Sequence, residues 1–138
     1  PTFNEAQSAR DAFIFRLAEM YLIAAEAEFK LGNSAKAAEL INVLRTRAAV
    51  SGKSEAMKIT ADVINIDFIL DERARELAGE QLRWFDLKRT GKLVERVKKY
   101  NPEAGAFIQD YHILRPIPQQ ELDAVTNKSE FVQNPGYK

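Results

Sequence analysis

Cysteine is missing from this 138-residue chain, and histidine and tryptophan occur once each. Without thiols there are no disulfides, no thiolate metal sites and no cysteine nucleophile. A single histidine leaves no tetrahedral zinc set of the usual kind. No apolar run reaches the length of a membrane span, and no signal peptide is visible. An excess of one charge is missing too. Twenty basic residues balance twenty acidic ones, so nothing draws the whole chain to nucleic acid. Methionine is missing from position 1, where Pro1 stands. We therefore expect a piece of a longer protein, with any export signal or lipid anchor outside it. At this length the chain is one domain or part of one, large enough to bury a core.

What is present is helical periodicity. After a polar lead-in, "PTFNEAQSARDA", Phe13, Leu17, Met20, Tyr21 and Ala24 recur at helical spacing. Ile14, Ala18, Leu22, Ala25 and Phe29 form a second apolar row beside the first. Arg16, Glu19, Glu26 and Lys30 make a narrow polar row, interrupted by Ile23. So wide an apolar face predicts packing on two sides. Gly32 sits where a left-handed C-terminal cap belongs, and Asn33 or Ser34 can cap the next helix. That helix, about 35–49, turns Ala37, Ala38, Ile41, Leu44 and Ala48 inward. The short connection makes the two helices antiparallel neighbours.

"VSGKSEAMK" reads as loop. Thr60 is the expected cap of a third helix running to about Ala78, with Ile66, Ile69, Leu70, Ala74 and Leu77 inward. Gly79 interrupts it. A segment from Gln81 to Arg89 carries Leu82, Trp84, Phe85 and Leu87, and "KLVERVKKY" is a short amphipathic helix. "NPEAGAF" reads as loop. "YHILRPIP" is expected to be extended, because each proline disfavours helix before it. Pro118 suits the first turn of a last short helix. The tail "TNKSEFVQNPGYK" is turn-rich. No segment alternates convincingly, so the fold class is all-α.

"SGKS", Ser51–Ser54, lacks the upstream glycine of a phosphate-binding loop, since Arg47 stands there. We read it as an ordinary polar loop. His112, two residues after Asp110, reads as structural, because one sequence shows neither nucleophile nor orienting acid in space. Glu72, Glu76 and Glu80 invite a glycosidase reading. Carboxylates at steps of four on one helix, however, share a face and do not flank a substrate bond. Their spacing instead suits helix-surface ion pairs: Asp71 with Arg75, Glu72 with Arg75, Arg73 with Glu76. Trp84 is either a sugar-stacking platform or a core anchor, and Phe85, Leu82 and Leu87 around it favour the core. Asn127-Lys128-Ser129 fits a glycosylation sequon too short to weigh much.

"RLAEMYLIAAEAEFKLGNSAKAAELINVLRTRA" resembles one helix pair of a tetratricopeptide-type repeat. Ala25, Gly32, Ala37 and Ile41 match its small, turn and packing positions, while Leu44 departs from the usual small residue. "RLAEMYLIAAEA", "INVLRTRA", "ILDERARELAGEQLRWFDLKR", "LRPIPQQELDA" and "QNPGY" then follow in the order of the C-terminal part of the SusD/RagB family. These are glycan-binding outer-membrane lipoproteins of Bacteroidetes, and the resemblance covers Arg16 to Tyr137. Gln81 stands where the family usually has glycine, and Ala74 where arginine is common.

The resemblance implies tetratricopeptide-like α-α helix pairs in an α-superhelix, here as a partial domain with a loop-rich C-terminal section. Residues 1–138 would be the C-terminal helical domain of a longer, lipid-anchored surface protein over a TonB-dependent transporter. It would bind oligosaccharide or another nutrient without catalysis, cofactor or metal. Glu72, Arg73, Glu76, Arg83, Trp84 and Asp86 match the family's motif. We expect their charges to pair internally and to fix how the third and fourth helices cross. Tyr100, Phe107 and Tyr111, in or near the loop before "LRPIP", are candidate ligand contacts. The alternative is a helical-repeat adaptor for protein partners with no carbohydrate role. A hydrolase is the third class, and nothing in the chain supplies its second catalytic element.

Overall fold

The computed structural model describes residues 14–127 and 129–137. The lead-in, Phe13 and the Lys128 of the sequon lie outside the described residues. Among the described residues there are eight α-helices, two 3-10 turns and no strand. The α-helices are α1 (Leu17–Lys30), α2 (Ser34–Ala48), α3 (Ser54–Met57), α4 (Ile66–Glu76), α5 (Arg83–Arg89), α6 (Leu93–Tyr100), α7 (Pro102–Gly105) and α8 (Gln119–Ala124). The 3-10 turns are η1 (Ala61–Val63) and η2 (Asp110–Ile113). No described helix is long and apolar enough to cross a membrane. The chain divides into two units, Pro1–Arg83 and Trp84–Lys138.

In the first unit α1 packs against α2 and α4. Gly32 has φ +86°. Its N–H donates to the Phe29 carbonyl and that of Asn33 to the Glu28 carbonyl. These are the two bonds of a glycine-terminated helix end. Leu22, Ala25, Ala37, Ile41 and Ile69 form the centre of the core. Ala18 and Ala25 of α1 and Ala37 and Ala38 of α2, all buried, let the backbones approach closely.

Two expectations for α1 need correcting. The second apolar row is buried at Ala18, Leu22 and Ala25. The first is covered only in part: Leu17 is 71% exposed and Met20 42%, while Tyr21 is half-buried against the core. Glu19 and Glu26, assigned to the polar face, are buried. For Glu19 the partner is Arg73 of α4, which donates to Glu19 Oε1 at 3.3 Å, and Glu26 pairs with Lys30 at 2.9 Å. A buried carboxylate is tolerated when it is paired.

The third helix also begins later than its sequence suggests. Thr60 precedes only the η1 turn, and "SGKSEAMK" contains the single-turn helix α3. Asn65 caps α4, its side chain accepting from the Phe68 N–H at 2.9 Å. Ile69, Leu70 and Leu77 are buried as expected, and so are Glu72 and Arg73. Ala48, expected to face inward, is exposed. After Gly79 (φ +82°), Gln81 adopts φ +61°. This left-handed conformation explains why glycine suits the position.

In the second unit Leu87 and Leu93 are buried. Gly91 ends α5 with the same pair of bonds as Gly32, from Gly91 to Lys88 and from Lys92 to Leu87. "NPEAGAF" is not all loop. Asn101 caps α7, and a Cβ on Gly105 would come within 3.1 Å of Lys98 Cα. "YHILRPIP" begins as the η2 turn and is extended at Leu114 and Pro118.

Candidate functional site

The charges of the α4 face are arranged as a lattice. Arg16, just before α1, donates from Nε to both Glu80 oxygens, at 2.8 and 2.9 Å. Its Nη1 reaches Glu76 Oε1 at 2.6 Å, and its Nη2 bonds the Glu76 carbonyl. Arg47, near the end of α2, donates to both Glu76 oxygens, at 2.6 and 2.7 Å. One turn back on α4, Glu72 accepts from Arg45 of α2 and from Arg75, the latter at 2.6 Å. Arg45 also donates to the Met57 carbonyl at 2.5 Å, tying down α3. Thus α4 is held to the helix pair by carboxylates whose partners come from elsewhere in the chain. Among the expected pairs, Glu72 with Arg75 is present, and Glu76 bonds Arg16 and Arg47.

These contacts set the electrostatics. Burial alone would raise the Glu76 pKa. Hydrogen bonds from Arg47 and Arg16 outweigh it and hold the carboxyl below its ordinary value. Arg16 is pushed above the usual guanidinium range by its bonds to Glu80 and then Glu76. A carboxylate with these donors is fixed in its ionised form. It has no proton to give at neutral pH, and its oxygens are occupied by guanidinium groups.

The rest of the motif lies around α5. Arg83 donates to the Leu70 carbonyl of α4 at 2.7 Å. Asp86 is buried and accepts from Arg89 at 2.9 Å. Trp84 is half-buried rather than part of the core, with the Arg115 guanidinium 4.8 Å from its ring centroid. Phe85, expected beside it in the core, is 64% exposed.

The C-terminal residues form a clamp on the proline-broken stretch. Ile117 donates its N–H to Gln133 Oε1 at 2.7 Å and accepts from Gln133 Nε2 at 2.9 Å. Asn134 Nδ2 donates to the Arg115 carbonyl at 2.7 Å, and the Tyr137 hydroxyl to the Leu114 carbonyl at 2.8 Å. Pro116 and Pro118 cannot donate and the stretch pairs with no strand, so side chains satisfy its backbone. Tyr111 stacks against His112 and meets Tyr137 edge-on, with centroids 4.2 and 5.2 Å apart. Gly136 lies so close that a Cβ there would sit 2.3 Å from the Tyr111 ring. His112 Nδ1 accepts from the Gln109 N–H at 2.8 Å, holding the η2 turn.

Among the candidate contacts, Tyr111 is therefore engaged by the tail, whereas Phe107 and Tyr100 stand open, Phe107 at 77% exposed. Ser51–Ser54 follows a helix, and Gly52 there simply takes a left-handed turn. The partners that sequence reading missed are Arg16, Glu19, Arg45, Arg47, Gln133 and Asn134. The only signal for them was their place inside the family-like motifs.

An all-α first unit with one tetratricopeptide-like helix pair braced by an arginine–carboxylate lattice, and a second unit whose proline-broken stretch is held by a C-terminal clamp, define the class. Residues 1–137 match the SusD family. The chain is 37% identical to SusD-like protein P25 of Formosa agariphila, covering all of this chain and 26% of that protein. It is 34% identical to starch-binding protein SusD of Bacteroides thetaiotaomicron, again over its whole length and 24% of that protein. A solved laminarin-binding SusD-like protein superposes with a TM-score of 0.66 at 35% identity, covering 91% of this chain and 23% of that one. The chain belongs to the SusD family. It spans about a quarter of the length of the curated relatives it matches.

Proposed function

We propose that this chain is the C-terminal part of a glycan-capturing protein. In this reading the whole protein sits on the outer face of the outer membrane through a lipid anchor elsewhere in the polypeptide. It passes oligosaccharide to a TonB-dependent transporter, without catalysis, cofactor or metal, and takes no part in nucleic-acid binding. The observation that carries the reading is the end-to-end family match, with relatives named for starch and laminarin binding. The lattice geometry supports it from the other side, since Glu72, Glu76 and Glu80 are occupied by arginines rather than poised across a cleft.

Glu72, Arg73, Glu76, Arg83, Trp84 and Asp86 then serve the architecture. Open aromatics such as Tyr100 and Phe107 are the part of this chain offered to a ligand, while Tyr111 is engaged by Tyr137. Calorimetric titration of this chain, and of the longer protein, against malto-, laminari- and acidic oligosaccharides tests the reading. Binding by the longer protein is the expected result. Silence from both, with a helical protein captured instead, would replace glycan capture by the adaptor role. The exposed Leu17, Met20 and Ile23 of α1 would then be the place to look.

A further inference from the structure

Charge balance over the chain hides a local imbalance. Between Lys88 and Tyr100 stand six basic residues, Lys88, Arg89, Lys92, Arg96, Lys98 and Lys99, against Glu95 alone. Arg89 is paired with Asp86 and Lys92 with Glu95, both at 2.9 Å. Arg96 is buried, with its guanidinium carbon 5.4 Å from the Tyr100 ring centroid. Lys99 Nζ lies 5.0 Å from the same centroid. Lys98 and Lys99 are exposed, and among the described residues neither forms an ion pair. Tyr100 itself is 57% exposed. The α7 turn folds against this end of α6, because Gly105 approaches the backbone of Lys98 and Val97. Phe107, two residues on, is 77% exposed.

We infer that the last turn of α6, with the α7 turn behind it, is a contact site for a negatively charged oligosaccharide, carboxylated or sulfated. The inference rests on the glycan-capture reading above. Tyr100, 57% exposed with Arg96 and Lys99 against its ring, offers its uncovered aromatic surface to a sugar ring at little entropic cost. Two exposed ammonium groups beside it donate to the hydroxyls of a neutral glucan, but with a carboxylate or sulfate oxygen each forms an ion pair as well as a hydrogen bond. A helix C-terminus also welcomes cations through its dipole. That role bears on stability alone and is separable by experiment.

The test is calorimetry on the 138-residue chain with tetragalacturonate, a sulfated carrageenan tetrasaccharide and laminaritetraose, at low and high salt. Melting curves accompany every variant. Binding of one or both anionic probes in preference to laminaritetraose is expected, and the two anionic arms separate carboxylate from sulfate. Lys98→Ala with Lys99→Ala should weaken binding about tenfold or more, and added salt should do likewise. Tyr100→Ala should abolish it, all with melting nearly unchanged. Laminaritetraose bound as well as the anions, with no effect of the lysines, overturns the inference and leaves glycan capture standing. So does a chain that binds none of the probes while the longer protein binds a glycan. If neither binds any sugar, the reading beneath falls as well.

Discussion

Replacing Glu76 with glutamine isolates the centre of the α4 lattice. The change keeps the shape and removes the charge. Glu76 is 13% exposed and accepts three side-chain bonds, one from Arg16 and two from Arg47. A hydrogen bond to a charged group contributes about 1.5–3 kcal/mol where both sides are shielded. The Arg16 side chain, 23% exposed, is near that limit. The Arg47 side chain, 55% exposed, is not, and its contribution falls towards the ~0.5 kcal/mol of a surface pair. Glutamine retains one acceptor but turns an amide towards a guanidinium. We expect a loss of about 2 kcal/mol.

That corresponds to about 7 °C in Tm if the whole chain melts together, and about 11 °C if the first unit melts alone. The pH dependence supplies a second signature. The folded-state pKa of Glu76 is depressed, so its stabilisation is fully present above the ordinary carboxylate value. It is lost as pH falls through the lower, folded-state value. Glu76→Gln should lack that acid-side component, so variant and parent should converge at low pH. Thermal melts from pH 7 to pH 3 make the measurement. An unchanged Tm at pH 7, together with lost glycan capture by the longer protein, would refute the architectural reasoning and make the lattice a binding site.

Gln81→Gly relieves the left-handed backbone at φ +61°. After the entropy of glycine is subtracted, it should stabilise by about 0.5–1 kcal/mol, read as a raised denaturation midpoint. Gln133→Ala removes both bonds to Ile117. It should speed amide exchange at Ile117 by about tenfold, leaving exchange in α1 and α2 unaltered. Gly136→Ala places a methyl in the Tyr111 ring and strains a position at φ +87°. It should release the tail to limited proteolysis, and the aromatic near-ultraviolet signal should fall. Asn65→Ala removes the α4 cap. It should cost about 1 kcal/mol in chemical denaturation, whereas Thr60→Ala, outside α4, should cost much less.

Much of the fold was legible because it is written in local periods and breaks. The α1–α2 pair follows from two helical patterns with Gly32 between them, and Gly79 and Gly91 mark further ends at left-handed positions. The start of α4 was misread because Thr60 and Asn65 are both good caps, and only packing chooses between them. The candidate site was less legible. Glu72, Glu76 and Glu80 stood out, but spacing along one helix suggests partners three or four residues away. Their principal partners are 27 to 64 residues distant. The C-terminal clamp was invisible for the same reason: Gln133 and Ile117 are 16 residues apart with no repeating pattern between them.

By itself, the sequence determined helical identity, the places where helices stop and the family text, because each depends on neighbours within a few residues. Tertiary structure alone decided which apolar stripe of α1 is covered and which arginine meets which carboxylate. It also decided that Tyr111 lies under the tail while Tyr100 and Phe107 stay open. Those outcomes depend on how close separate helices come, and one residue pattern is compatible with several such approaches. The packing that buries Leu22, Ile41 and Ile69 selects one of them, and the charges pair within the geometry it leaves.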